Sequence, residues 1–149
     1  MKVYKSTIKE ISLKNYKGEI QKVKISSSED IAKYFRGIFD QETLEVYEQV
    51  MVIFLNNSMN TIAWYKASQG GMTGTIIDIR LILKAALDCY ATNIVICQNH
   101  PSGKLEASEA DRNITKKLKE ACNIMQIQLI DHIILTTESY YSFSNEGLL

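Results

Sequence analysis

Residues 94–111 read Ile94-Val95-Ile96-Cys97-Gln98-Asn99-His100-Pro101-Ser102-Gly103-Lys104-Leu105-Glu106-Ala107-Ser108-Glu109-Ala110-Asp111. The opening run is uncharged and rich in β-branched residues, which reads as a central sheet strand covered on both faces. Its carboxyl end delivers the chain into Gln98-Asn99-His100. Pro101-Ser102-Gly103 supplies turn chemistry, and Ser108 with an acidic residue three positions on opens a helix. Ligand sites of open α/β sheets form at this kind of junction, outside the carboxyl ends of strands where loops meet helix amino termini.

Alternate residues of an extended segment project to one side, so positions 98 and 100 point together toward a common space. Asp111, in the first turn of the following helix, can reach the same space. Catalytic zinc takes three protein ligands from His, Cys, Asp and Glu and keeps a fourth position for water. His100 and Asp111 are candidate ligands by that chemistry, whereas Gln98 offers a neutral amide oxygen. A plainer reading exists for each part, since Ser108-x-x-Asp111 is close to a capping box and Asn99-His100-Pro101-Ser102-Gly103 resembles a generic turn. The combined spacing carries the functional argument.

Working outward, residues 79–90 place Ile79, Ile82, Leu83, Ala86, Leu87 and Tyr90 on a core-facing helical stripe, with Asp78 as the cap. Upstream, Val50 to Leu55 is a near-continuous apolar run and predicts a second buried strand, turned at Asn56-Asn57 into a strand over 61–66. The stretch 68–75 contains Gly70, Gly71 and Gly74 but matches neither a P-loop nor a dinucleotide-binding fingerprint, and reads as a bend or strand edge. Residues 6–13 and 21–25 alternate partially around Asn15-Tyr16-Lys17-Gly18, consistent with two strands. Ser26-Ser27-Ser28-Glu29-Asp30 then caps a helix presenting Ile31, Tyr34, Phe35, Ile38 and Phe39 on one face. Downstream, Ile114, Leu118, Ala121, Cys122 and Met125 form the stripe of a helix whose lysines face solvent. Strands over 128–136 and 140–143 complete a mixed α/β order.

The chain has 149 residues, predicting one compact domain: residues 1–47 contribute strands and a helix packed on the core formed by 48–149. Lys plus Arg and Asp plus Glu balance at 17 each, so no global field favours nucleic acid or an anionic membrane. No stretch is long and apolar enough to span a bilayer and no signal-peptide run is present, so a soluble cytoplasmic protein is the expectation. Cys89, Cys97 and Cys122 form no C-x-x-C pair and read as reduced and structural; Cys97, beside the candidate site, reads as a buried strand thiol.

The assembled pattern resembles the RadC family, a bacterial branch of the JAMM, or JAB/MPN, metalloprotease superfamily. The resemblance rests on His100-Pro101, the seven residues from Pro101 to Ala107, and Ser108-x-x-Asp111. It is joined by Leu129-Ile130-Asp131-His132-Ile133-Ile134, Tyr141-Ser142-Phe143 and Glu146-Gly147-Leu148-Leu149. The resemblance covers residues 48–149, about two-thirds of the chain. It implies a cytidine-deaminase-like JAB/MPN fold with a mixed central sheet flanked by helices.

By the same resemblance, His100 and Asp111 match two zinc ligands and Ser108 matches a hydroxyl that stabilises an oxyanion. Glu48 falls at the glutamate that orients and deprotonates metal-bound water, with Glu42 and Glu45 close enough in sequence to compete for that role. The family's first histidine is replaced by Gln98, so zinc is expected to be weak or absent. His132, in an apolar strand, reads as a satisfied core histidine rather than a third ligand. The favoured reading is a RadC-like domain with a degenerate metallohydrolase site that binds a peptide or protein segment in its cleft. The alternatives are an active zinc metallopeptidase and a DNA-repair accessory protein.

Overall fold

Seven consecutive buried residues, Gln49–Leu55, form β1, and seven more, Asn93–Asn99, form β3; the two pair antiparallel, with Val50 opposite Gln98 and Leu55 opposite Asn93. Strands with no solvent-facing side must be covered twice, which is why neither shows alternation. The computed structural model describes residues 20–70 and 76–149. The strand expected over 6–13 and most of the glycine-rich stretch lie outside the described residues. Of the expected strand over 21–25, what forms is a bridge between Lys24 and Asn60.

The remaining elements are α1 (Ser28–Ile38), β2 (Thr61–Gln69), α2 (Ile79–Asp88), α3 (Glu109–Ile124), β4 (Gln128–Leu135) and β5 (Tyr140–Ser142). The sheet order is β2-β1-β3-β4-β5. Among the described strands only β3 and β4 run parallel, joined through α3 as a parallel connection requires. The result is the expected mixed α/β sheet flanked by helices.

The two faces carry separate cores. On one, α1 sets Ile31, Ala32 and Phe35 against Met51, Ile53, Val95, Cys97 and Ile133. Its start is fixed by the Ser27 side chain, which accepts the Asp30 N–H. On the other face, Ile82 and Ala86 of α2 and Leu118 and Cys122 of α3 cover Val50, Val52, Phe54, Ile94 and Ile96.

Three expectations need correction. Strand β2 runs three residues past Lys66, to Gln69. Leu87 is exposed because it lies off the buried line of Ile82 and Ala86 in α2, and Tyr90 is exposed because the helix ends at Asp88 and the chain turns through a positive φ at Tyr90. The buried stripe of α3 is Asp111, Thr115, Leu118 and Cys122, while Met125 is exposed at the C-cap. That stripe is rotated toward two polar residues, and those residues belong to the site.

Candidate functional site

The end of β3 separates its side chains by face. Gln98 and His100 project toward α3, and Asn99 projects the opposite way. Between Pro101 and Lys104 the chain reverses in a turn closed by the Gly103 N–H donating to the His100 carbonyl at 3.0 Å. Gly103 sits at φ 76°, a left-handed conformation that suits a residue without Cβ. The turn brings the Lys104 carbonyl 2.8 Å from His100 Nδ1, and the His100 N–H donates to the Leu135 carbonyl at 3.0 Å. The imidazole is therefore held from both its backbone and its ring.

Helix α3 begins beside it with a full capping box. Asp111 N–H donates to Ser108 Oγ at 3.1 Å, and Ser108 N–H donates to Asp111 Oδ2 at 2.8 Å. Burial raises the proton affinity of Asp111, but the neighbouring His100 ring and hydrogen bonds from Ser108 and Gln98 outweigh it, and the carboxyl is held well below the usual carboxylate range. An ionised carboxylate accepts only. The Gln98 carboxamide must consequently turn its nitrogen to Asp111, and Nε2 lies 2.7 Å from Oδ1.

The same nitrogen is 2.8 Å from His100 Nε2. With Nδ1–H donating to the Lys104 carbonyl, the neutral ring presents a lone pair at Nε2 and accepts the second amide hydrogen of Gln98. His100 Nε2 is also 3.5 Å from Asp111 Oδ2. Burial opposes a charge on this imidazole, yet Asp111, the Lys104 carbonyl and Glu48 together raise its proton affinity. A proton on Nε2 would face the Gln98 hydrogens, so the charged ring and the amide contact exclude each other.

Glu48 stands half-buried immediately before β1. Burial raises its pKa, the His100 charge lowers it and Asp111 raises it, placing this carboxyl within electrostatic reach of both. Of the two neighbours that could have competed for its place, Glu45 is exposed and accepts from Thr137 Oγ1, and Glu42 is exposed. Asn99 fixes the backbone there. Its Oδ1 accepts the Gln49 N–H at 2.7 Å, and its Nδ2 donates to the carbonyls of Leu44 at 2.7 Å and Tyr47 at 3.0 Å. The Glu48 carbonyl in turn accepts the Gly70 N–H at 2.8 Å.

Beneath this surface layer lies His132, fully buried and stacked on Phe143 at 4.5 Å. Its Nε2 is 3.1 Å from Gln98 Oε1 and its Nδ1 is 2.6 Å from Thr115 Oγ1. Burial lowers its pKa to about 4, so the ring is neutral near pH 7. The preceding residue, Asp131, accepts from Ser142 Oγ and the Ser144 N–H, which ties β4 to the segment that carries Phe143.

The structure thus gathers Gln98, His100 and Asp111 by direct contact, with Glu48 alongside. Ser108 is exposed and its hydroxyl is engaged as the helix cap. Gln98 departs from the expectation of an amide oxygen facing the site; it presents nitrogen, because an ionised Asp111 requires a donor. Sequence reasoning passed over Asn99 and Thr115. A buried Thr one helical turn after Asp111 is the signal that could have identified the second. Cys97 is buried on the α1 face, and burial pushes its thiol well above the ordinary range, which leaves it unreactive. Among the described residues, no group of three His, Cys, Asp or Glu side chains is placed to hold a metal ion. No helix among them is long and apolar enough to cross a membrane.

Residues 25–148 match the family described as the RadC-like JAB domain. Among curated relatives, a UPF0758 protein of Flavobacterium johnsoniae is 43% identical over 125 residues, covering 84% of this chain and 53% of the relative. A UPF0758 protein of Haemophilus ducreyi is 40% identical over 113 residues, covering 76% and 49%. One from Chlorobaculum parvum is 33% identical over 126 residues, covering 85% and 55%. The chain spans about half the length of these relatives. With a match across nearly all of its described residues, the chain belongs to the RadC-like JAB domain family.

Proposed function

We propose that this domain carries a degenerate zinc metallohydrolase site and serves as a non-catalytic module that binds a peptide or protein segment in its cleft. JAB/MPN domains generally bind zinc, and His100 and Asp111 are the residues of this chain that match the ligands. The single observation supporting the reading is that Gln98 Nε2 lies 2.7 Å from Asp111 Oδ1 and 2.8 Å from His100 Nε2. A metal ion needs those lone pairs, and here both are directed at amide hydrogens. The donor set does not fit zinc in this arrangement.

The cleft retains what recognition requires. His100 and Glu48 remain partly accessible at a sheet end, and β2 ends beside Glu48 through the Gly70 contact. An extended segment approaching along that edge would reach the site by strand addition, a mode in which main-chain hydrogen bonds supply affinity. The balanced net charge gives no support to a primary nucleic-acid partner.

The test is hydrolysis of a peptide and isopeptide library with added zinc, with Glu48→Gln as control. No turnover above that control is expected, with segment binding retained in both proteins, because a general base serves proton transfer and not ground-state recognition. Turnover by the unmodified chain that vanishes in Glu48→Gln establishes the active metallopeptidase instead.

A further inference from the structure

The geometry points to His132 as a positioning residue that fixes the polarity of the Gln98 carboxamide and so locks the amide hydrogens onto His100 and Asp111. This inference rests on the reading of the site given above and concerns what enforces it.

A carboxamide has two orientations related by a half-turn, and its neighbours decide between them. On one side, the Asp111 carboxylate demands a donor. On the other, Gln98 Oε1 is buried and faces His132 Nε2 at 3.1 Å, so it must receive a hydrogen from that ring. A neutral imidazole has one hydrogen to give, and giving it from Nε2 leaves Nδ1 as an acceptor. Thr115 Oγ1, at 2.6 Å from Nδ1, is the donor in place to satisfy it. The same hydroxyl donates to the Asp111 carbonyl at 2.6 Å, so that carbonyl and the ring nitrogen share its one hydrogen.

The chain of bonds therefore runs from His132 to Gln98 and then forks to His100 and Asp111, with Thr115 against the far side of the ring. Stacking on Phe143 and the Asp131 contact to the His132 backbone hold the ring in register. Among the described residues no other group donates to Gln98 Oε1, so removal of His132 leaves a buried oxygen without its donor. A metal ion is then a favourable partner for that oxygen. Loss of a histidine should thus strengthen metal binding, which is opposite to its effect if His132 were itself a ligand.

The experiment titrates zinc alone, by calorimetry, into the unmodified chain, His132→Phe, Gln98→Ala and the double variant. Release of one buried hydrogen bond predicts zinc binding about tenfold tighter in His132→Phe than in the unmodified chain. Zinc affinity in Gln98→Ala should not change when His132→Phe is added, since the amide is gone. Equal or weaker zinc binding by a folded His132→Phe overturns the inference. Should that variant not fold, ring nitrogen shifts in the unmodified protein decide the matter: hydrogen on Nε2 of His132 supports it, and hydrogen on Nδ1 overturns it. Tight zinc in the unmodified chain contradicts the functional reading itself, whereas weak zinc there with no gain in His132→Phe overturns this inference alone.

Discussion

Gln98 and Asp111 are in direct hydrogen-bond contact, amide nitrogen to carboxylate oxygen at 2.7 Å, joining the end of a central strand to the first turn of the helix that follows it. Both groups are buried, and the bond is assisted by the charge of the carboxylate, which makes it stronger than a bond between neutral groups. On the proposed reading, the contact occupies a carboxylate that a zinc ion would otherwise require.

Asn99 makes three hydrogen bonds while wholly buried, and all three hold the loop and strand entry around Glu48. Asn99→Ala leaves the Gln49 N–H and two carbonyls unsatisfied, so the expected loss is roughly 2–4 kcal/mol, read from urea unfolding. Loss of less than about 1 kcal/mol would show that water or a loop shift replaces these bonds.

His132 should give the protein an acid sensitivity of its own. Burial lowers its pKa to about 4 from an ordinary 6.5, so between these values the unfolded chain holds more protons than the folded one. Stability then falls as pH is lowered through that window, by about 3 kcal/mol in all. Unfolding free energies measured from pH 7 to 4 should decline more steeply for the unmodified chain than for His132→Phe. Asp111 acts in a different window: its stabilising effect is complete above the ordinary value of 3.8 and is lost only as pH falls below it.

Ser108 acts here as a helix cap. Ser108→Ala is expected to cost about 1 kcal/mol of stability, the usual effect of removing a capping hydroxyl, while leaving segment binding by the cleft unchanged. Thermal unfolding and a binding titration on the same samples check both halves.

Much of this architecture was legible because its signals are local. The apolar run of β1, the β-branched run of β3, and the Ser27 and Ser108 caps each depend on a few adjacent residues. The spacing from His100 to Asp111 located the site for a similar reason, since a strand end, a turn and a helix start are consecutive in the chain. What escaped depended on partners distant in sequence. Asn99 meets residues 44–49 across an antiparallel pair, and His132 reaches Gln98 from the neighbouring parallel strand. The orientation of the Gln98 amide is set jointly by Asp111 and His132, and no pattern within β3 specifies it. The shifted stripe of α3 has the same origin: periodicity favours apolar residues, while burial of Asp111 and Thr115 is decided by the network they complete.

The most direct measurement is the zinc content and affinity of the chain, purified without chelator or histidine tag, beside that of Gln98→His. The substitution replaces the amide hydrogens facing His100 and Asp111 with an imidazole donor and restores three metal-ligating side chains. The expected result is weak or substoichiometric zinc in the unmodified chain and much tighter, near-stoichiometric zinc in Gln98→His, since one ligand is a large part of a three-ligand site. Stoichiometric zinc that resists mild chelation in the unmodified chain would contradict the degenerate site.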